Sequence, residues 1–248
     1  MPYRKELIEK LVPAVRLAGD EIMRIYHRNP DAEIKLDGSP VTEADQKAET
    51  ILLAALRQHA PDITIISEEN ANSHAIDAPD RFFLVDPLDG TKEFLKRDGK
   101  GSFTVNIGLV ENRVPVLGIV YAPALEKMFT GSTGDGAFLN EQPIHARKPH
   151  NGERTAVASA SHRDEMTNQW LAENNISRTV SIGSSLKFCL VASGEADIYP
   201  RFGPTMEWDT AAGQAVLLAA GGHVTTPENT PFLYGKDEYR NGPFIASA

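Results

Sequence analysis

Residues 82 to 94 read Phe82-Phe83-Leu84-Val85-Asp86-Pro87-Leu88-Asp89-Gly90-Thr91-Lys92-Glu93-Phe94, an apolar run with the look of a buried strand that ends in a pair of carboxylates. Pro87 has no N–H to give to a neighbouring strand, and Gly90 permits backbone angles closed to other residues. Strand pairing is therefore expected to stop here and the chain to turn sharply. In such a turn Asp86, the Leu88 carbonyl and Asp89 can face one point. Hard oxygens converging in a short turn suit Mg2+, which takes carboxylates, keeps several waters and shares its shell with substrate phosphate. The same residues also describe an Asx-type turn with both aspartates in solvent, so the remainder of the chain has to weigh between these readings.

The bulk charge supplies no counter-charge of its own. Against 34 Asp and Glu stand 25 Lys and Arg, a net of −9, and no basic run exceeds a pair. That argues against nucleic-acid polymers and anionic membrane surfaces as partners. An anionic substrate must be drawn by bound cations and a few placed basic residues. The chain of 248 residues at 41% hydrophobic can bury a sizeable core. Its single cysteine, Cys189, lies in the apolar stretch from Leu186 to Val191, which excludes an internal disulfide and fits a small core residue in a reducing compartment. The start Met1-Pro2-Tyr3-Arg4-Lys5-Glu6 is charged and then amphipathic, and no apolar stretch reaches membrane-span length, so the expectation is a cytoplasmic protein. The seven histidines carry no HExxH-like or Cys/His zinc spacing.

Leu7, Ile8, Leu11, Val15, Ala18, Ile22 and Ile25 predict an amphipathic helix over roughly 4 to 27, with Pro13 as a point of kinking. Thr42 precedes a second helix that stops before Pro61. Strands are expected at 63 to 66 and 81 to 85, then a meander over 102 to 110, 114 to 121 and 126 to 131. This half reads as α+β with a largely antiparallel sheet. After the segment 143 to 153, strands at 155 to 160, 178 to 182, 196 to 200 and 222 to 226 alternate with helices at 164 to 174, 185 to 193 and 208 to 220. That alternation reads as a smaller α/β half, packed closely enough on the first to leave a cleft between them.

Further acids fall where such a cleft can collect them. Ser67-Glu68-Glu69 repeats the pattern of strand end plus carboxylate, while Asp45 and Asp209 each open a predicted helix. An acid in a first helical turn ordinarily complements the free N–H groups and the dipole. The conjunction of strand-end and helix-start acids on one rim is what points to a site.

In this order and spacing, Asp45, Glu68-Glu69, Asp86-Pro87-Leu88-Asp89-Gly90-Thr91 and Trp208-Asp209-Thr210-Ala211-Ala212-Gly213 resemble the inositol monophosphatase superfamily of Mg2+-dependent, lithium-sensitive phosphomonoesterases. The resemblance spans most of the chain. It implies a layered αβαβα sugar-phosphatase-like fold, with an α+β metal-binding half over 1–145, an α/β substrate-binding half over 146–248, and the active site between them. By matching position it implies that Glu68, Asp86, the Leu88 carbonyl, Asp89 and Asp209 hold two or three Mg2+ ions. Asp45 and Thr91 would orient and deprotonate the attacking water, with Gly90, Thr91 and Asp209 also touching substrate. Within the superfamily, Lys92-Glu93-Phe94, Gly183-Ser184-Ser185-Leu186-Lys187-Phe188 and Tyr199-Pro200-Arg201-Phe202-Gly203-Pro204 resemble the bacterial 3'(2'),5'-bisphosphate nucleotidases.

Lys187 and Arg201 are then the basic residues placed near a second phosphate, with Ser184 hydrogen-bonding close by. His162, after a predicted strand, either lines the nucleotide pocket or occupies an ordinary turn; Trp208 is expected in the core. The leading expectation is hydrolysis of the 3'-phosphate of adenosine 3',5'-bisphosphate to AMP, with the sulfated analogue as a further substrate and a role in sulfate assimilation. The partner is thus a small phosphorylated nucleotide. The same chemistry also suits inositol monophosphate or a sugar phosphate, between which fold cannot decide. An acidic Mg2+- or Ca2+-binding protein without turnover is the reading from another class, and a water-activating pair such as Asp45 and Thr91 argues against it. Some relatives in the superfamily sit peripherally on the inner face of the membrane, a placement on which this charge pattern is silent.

Overall fold

The computed structural model describes residues 2–28, 32–34, 40–97, 99–147, 153–159 and 164–248. A long helix, α1 (Pro2–Tyr26), contains Pro13 within its length, and a short hairpin of β1 (Ala32–Ile34) and β2 (Pro40–Thr42) leads into α2 (Glu43–His59). The larger sheet then builds from β3 (Thr64–Ser67) and β4 (Arg81–Asp89). After the short helix α3 (Thr91–Lys96) it continues through β5 (Thr104–Glu111), β6 (Val114–Ala122), β7 (Lys127–Ser132), β8 (Gly136–Leu139) and β9 (Gln142–Ile144). These seven strands pair in sequence order, β3 with β4 parallel and every later pair antiparallel.

The second sheet has the order β11 (Arg178–Ile182), β10 (Thr155–Ser159), β12 (Ile198–Arg201), β16 (Phe244–Ser247) and β14 (His223–Thr225). Its β10, β11 and β12 run parallel, and β16 is antiparallel to both neighbours. The helices α4 (Glu165–Glu173), α5 (Leu186–Ala192) and α6 (Ala211–Ala219) complete it, and β13 (Thr205–Met206) pairs with β15 (Arg240–Asn241) beside the 206–210 turn.

Alternation along β4 separates the two main cores. Phe83 and Val85 face Leu11, Val15, Ala18, Leu52 and Leu56 of α1 and α2, whereas Phe82 and Leu84 belong with Phe188, Val191, Val216, Tyr199 and Phe244 of α5, α6 and the second sheet. A smaller cluster of Ala156, Leu171 and Ile198 seats α4 on the far side of that sheet. The layers therefore run α1–α2, sheet, α5–α6, sheet, α4, which is the αβαβα order expected from the resemblance. Cys189 is fully buried among them.

Two local expectations are corrected. Pairing does not stop at Pro87: Asp86 pairs with Asn106 and Asp89 with Thr104, with a register shift between them. Pro87 and Leu88 together oppose Val105, so a bulge absorbs the missing N–H and the ladder resumes. The last predicted helix begins at Ala211, not 208, with Thr210 as its N-cap. Asp209 thus lies in a turn ahead of the helix, held there because its Oδ2 accepts from the Met206 N–H at 2.8 Å. The predicted site residue His162 lies outside the described residues.

Candidate active site

The parallel pairing of β3 with β4 sets the end of β3 beside the bulge in β4: Ser67 is in register with Val85, and the Glu68 N–H donates to the Val85 carbonyl at 3.1 Å. Glu68 and Asp86 consequently emerge side by side, and the 206–210 turn brings Asp209 to meet them. Each of these three residues offers a carboxylate oxygen within 4.8 Å of the others. Asp86 is buried, and its Oδ1 accepts from the Leu88 N–H at 3.1 Å. Burial first, then Glu68, Asp89 and Asp209, push its carboxyl well above the usual carboxylate range. Asp209 is driven up in the same way, by burial and then by Asp89 and Glu68, with the Met206 N–H opposing. Asp89 is also raised by burial, against the pull of Lys187 and of the Ser185 N–H, which donates to its Oδ2 at 2.6 Å.

Asp45 sits at the third position of α2, where a capping box is closed. Its Oδ2 accepts from the Thr42 N–H at 2.8 Å and from the Thr42 hydroxyl at 2.7 Å. Its Oδ1 faces Thr91, whose hydroxyl lies 3.3 Å from it and 3.2 Å from the Leu88 carbonyl. Thr91 opens α3 behind Gly90, which has φ +91. A Cβ at Gly90 would sit 3.1 Å from the Ser102 carbonyl, so both conformation and space call for glycine.

These groups border a cleft of about 280 Å³ lined by Glu68, Asp86, Leu88, Asp89, Gly90, Thr91, Ser184, Lys187, Arg201 and Asp209. Ten of the predicted residues are thereby brought to one space, with Asp45 standing behind Thr91. Lys187 is buried on α5 and donates to the Ser184 carbonyl at 2.5 Å. Burial, with Arg201 nearby, pulls its ammonium down to about 8, while Asp89 and Glu93 hold it up. Arg201, at the end of β12, donates to the Gly203 carbonyl at 3.0 Å and to the Pro204 carbonyl at 3.1 Å. Trp208 packs in the core and stacks on His74 with ring centroids 4.7 Å apart.

Sequence reasoning did not single out Glu93, Ser159, Tyr199 and Thr210, which also line the cleft, or Ser185 and Asn106, which donate to Asp89. Glu93, Ser185, Tyr199 and Thr210 sat inside recognised motifs without a role of their own. Asn106 had a signal in hindsight, being a polar residue in the middle of the apolar run Val105 to Val110.

The sequence matches the inositol monophosphatase family over residues 4–246, and the chain belongs to that family. It is 47% identical over 227 residues to the 3'(2'),5'-bisphosphate nucleotidase CysQ of Salmonella typhimurium, which covers 88% of this chain and 89% of that protein. To the protein of the same name from Escherichia coli strain K12 it is 43% identical over 251 residues, 97% of this chain and 99% of the relative. The crystal structure of CysQ from Bacteroides thetaiotaomicron, a bacterial member of the family, matches the fold with a TM-score of 0.84 at 36% identity, covering 99% of this chain and 97% of that one. The family is metal-dependent. Among the described residues, no helix is long and apolar enough to cross a membrane.

Proposed function

We propose that the chain is a Mg2+-dependent phosphomonoesterase that removes the 3'-phosphate of adenosine 3',5'-bisphosphate, giving AMP and phosphate, and that it accepts the sulfated analogue. The observation that carries this reading is the juxtaposition, across one cleft, of the Glu68–Asp86–Asp209 carboxylates with the buried cations of Lys187 and Arg201. The relatives named above carry the same activity in their names.

The donor set fits divalent cations. Buried carboxylates that drive one another toward protonation call for positive charge, and hard oxygens are what Mg2+ takes. Glu68, Asp86, Asp89, Asp209 and the Leu88 carbonyl would hold two or three ions. When bound, these would balance the charge growing on the phosphoryl oxygens and favour deprotonation of an attacking water.

The chain's own residues then divide the work. The Thr91 hydroxyl points its proton at Asp45 Oδ1 or the Leu88 carbonyl, so its oxygen is left to accept from the incoming water. As that water attacks phosphorus, its proton passes to Thr91 and the hydroxyl proton passes to Asp45 Oδ1, while the bond from phosphorus to the ribose 3'-oxygen breaks and that oxygen leaves with AMP, taking up a proton from solvent. Gly90 and Thr91, at the start of α3, offer backbone N–H groups to phosphate oxygens. Lys187 and Arg201 meet the second phosphate, Lys187 as a point charge and Arg201 as a planar fork. Residues 1–145 supply the carboxylates up to Asp89 and the water-activating pair, and 146–248 supply Asp209 and the basic residues. The buried, unpaired thiol of Cys189 fits a cytoplasmic placement.

Phosphate release with Mg2+ from adenosine 3',5'-bisphosphate, inositol 1-phosphate and fructose 1,6-bisphosphate, measured side by side, tests the reading. The expected result is the highest kcat/KM on the nucleotide. A preference for either other substrate overturns the substrate assignment, and release from none of them overturns the enzyme.

A further inference from the structure

We propose that Glu207, itself buried and ion-paired with the partly exposed Lys236, is a positioning residue for Asp209; this rests on the reading of Asp209 as a cation ligand. Glu207 exposes none of its surface and does not border the cleft. Its Oε2 accepts from the Gly235 N–H at 2.9 Å, and its Oε1 accepts from both the N–H and the ammonium of Lys236 at 3.0 Å. Its main chain is engaged as fully. The N–H donates to the Tyr239 carbonyl at 2.7 Å, and the carbonyl accepts from the Ala211 N–H at 3.0 Å and the Thr210 hydroxyl at 3.2 Å.

Lys236 also donates to Asn241 Oδ1 at 2.9 Å, and Asn241 Nδ2 reaches both the Met206 carbonyl and the Thr210 hydroxyl at 2.9 Å. The segment 235–241 therefore grips the chain immediately before and after Asp209. Asp209 lies outside α6; its carbonyl accepts from the Ser185 hydroxyl at 2.6 Å, but among the described residues its carboxylate is hydrogen-bonded within its own turn, by the Met206 N–H at 2.8 Å, so its aim depends on how that turn is held. An ion pair that buries a carboxylate rarely stabilises a fold more than apolar side chains of the same volume. Its directional bonds do fix a backbone, and here the backbone fixed is the one that delivers a carboxylate 4.8 Å or less from Glu68 and Asp86. Groups that orient a cation ligand from behind typically change cation affinity by about 10- to 100-fold when altered.

The test is calorimetric titration of Mg2+ into the full chain for wild type, Glu207→Gln, Asp209→Asn and the double variant, with Tm measured alongside. Glutamine keeps the volume but turns an amide donor toward the Gly235 and Lys236 donors. Mg2+ affinity is expected to weaken by about 10- to 100-fold in Glu207→Gln, and Glu207→Gln is expected to add nothing further when Asp209 is already Asn. Should Glu207→Gln fail to fold, Lys236→Gln, which alters the partly exposed partner, takes its place in the same cycle, and Lys236→Arg should restore affinity. Wild-type Mg2+ affinity in a folded variant with lowered Tm, or the same weakening with and without Asp209, would mean a purely structural pair and overturn the proposal. Wild type that binds no Mg2+ at all overturns the cation site itself, and the inference with it.

Discussion

The Thr91 hydroxyl lies 3.3 Å from Asp45 Oδ1, while the other oxygen of the same carboxylate closes the capping box of α2 on Thr42. One residue thus anchors a helix start and faces the proposed reaction. The two roles predict different losses. Asp45→Asn keeps the shape and removes the base, so kcat should fall by about 10²- to 10⁴-fold with KM little changed. The disturbed cap should lower stability by about 1 kcal/mol. Thr91→Ser, which retains the hydroxyl, should be far milder than Thr91→Ala. Steady-state kinetics and thermal melts on these variants separate the roles: a stability loss with near-wild-type kcat would leave Asp45 as a cap alone.

Carboxylates gathered as Glu68, Asp86 and Asp209 are make the metal-free protein sensitive to pH. At an effective dielectric of 20, a pair of like charges at 4 Å costs on the order of 4 kcal/mol before relaxation. The carboxyls of Asp86 and Asp209 are raised in the fold above the ordinary 3.8, so the unfolded chain loses its protons first as pH rises. The stability they leave intact below about that value is lost as pH climbs through their folded values. In EDTA, Tm should therefore decline upward from mildly acidic pH, and Mg2+ should raise it and flatten the profile by binding only the folded site. Asp86→Asn should flatten the EDTA profile and blunt the Mg2+ response. An unchanged Tm at saturating Mg2+ in wild type would show that the carboxylates hold no cation.

Lys187 and Arg201 should act on the nucleotide in preference to simple monophosphates. Replacing either with Ala should raise KM for adenosine 3',5'-bisphosphate by about 10- to 100-fold, the worth of a charge-assisted hydrogen bond, and leave inositol 1-phosphate less affected. Because burial pulls Lys187 down to about 8, its charge is present below that pH and lost above it. KM should climb on the alkaline side, and Lys187→Arg should remove that climb. Parallel loss of both activities in the Ala variants would sink the assignment.

The carboxylate cluster was legible because short motifs carry it. The Asp86-to-Thr91 motif announces Asp86 and Asp89, although Asp86 lies at a bulge inside β4 and not at its end, and the Trp208-to-Gly213 motif announces Asp209. What stayed hidden depends on long-range register. That Asn106 stands opposite Asp86, and that pairing survives Pro87 through a bulge, follows from β4 meeting β5, which no local pattern encodes. Likewise Glu207 reads as one more acid beside Trp208 until the chain returns 28 residues later to bury it. The two engagements of Asp45 were hidden for another reason: capping and catalysis looked like rival explanations, whereas the structure gives one oxygen to the cap and turns the other toward the Thr91 hydroxyl.

A row of glycines fixes how α6, and with it the 206–210 turn, meets the large sheet. Gly108, Gly118 and Gly131 stand opposite one another on β5, β6 and β7. A Cβ at Gly118 would lie 2.1 Å from the Ala212 carbonyl, at Gly108 2.8 Å from the Ala211 Cβ, and at Gly131 2.9 Å from the Val216 Cα. The helix lies in the groove they leave, and at Gly118 the obstacle is helix backbone, which cannot swing aside as a side chain can. Gly118→Ala should therefore cost at least the 1 to 3 kcal/mol typical of overpacking, as an order-of-magnitude figure. It should also displace α6 enough to weaken the Mg2+ response of Tm. Gly242→Ala, where nothing lies within 4 Å of the added carbon, should be near neutral. Chemical denaturation of both variants, with and without Mg2+, decides the point: if Gly118→Ala is as benign as Gly242→Ala, the glycine row does not set the seat of α6.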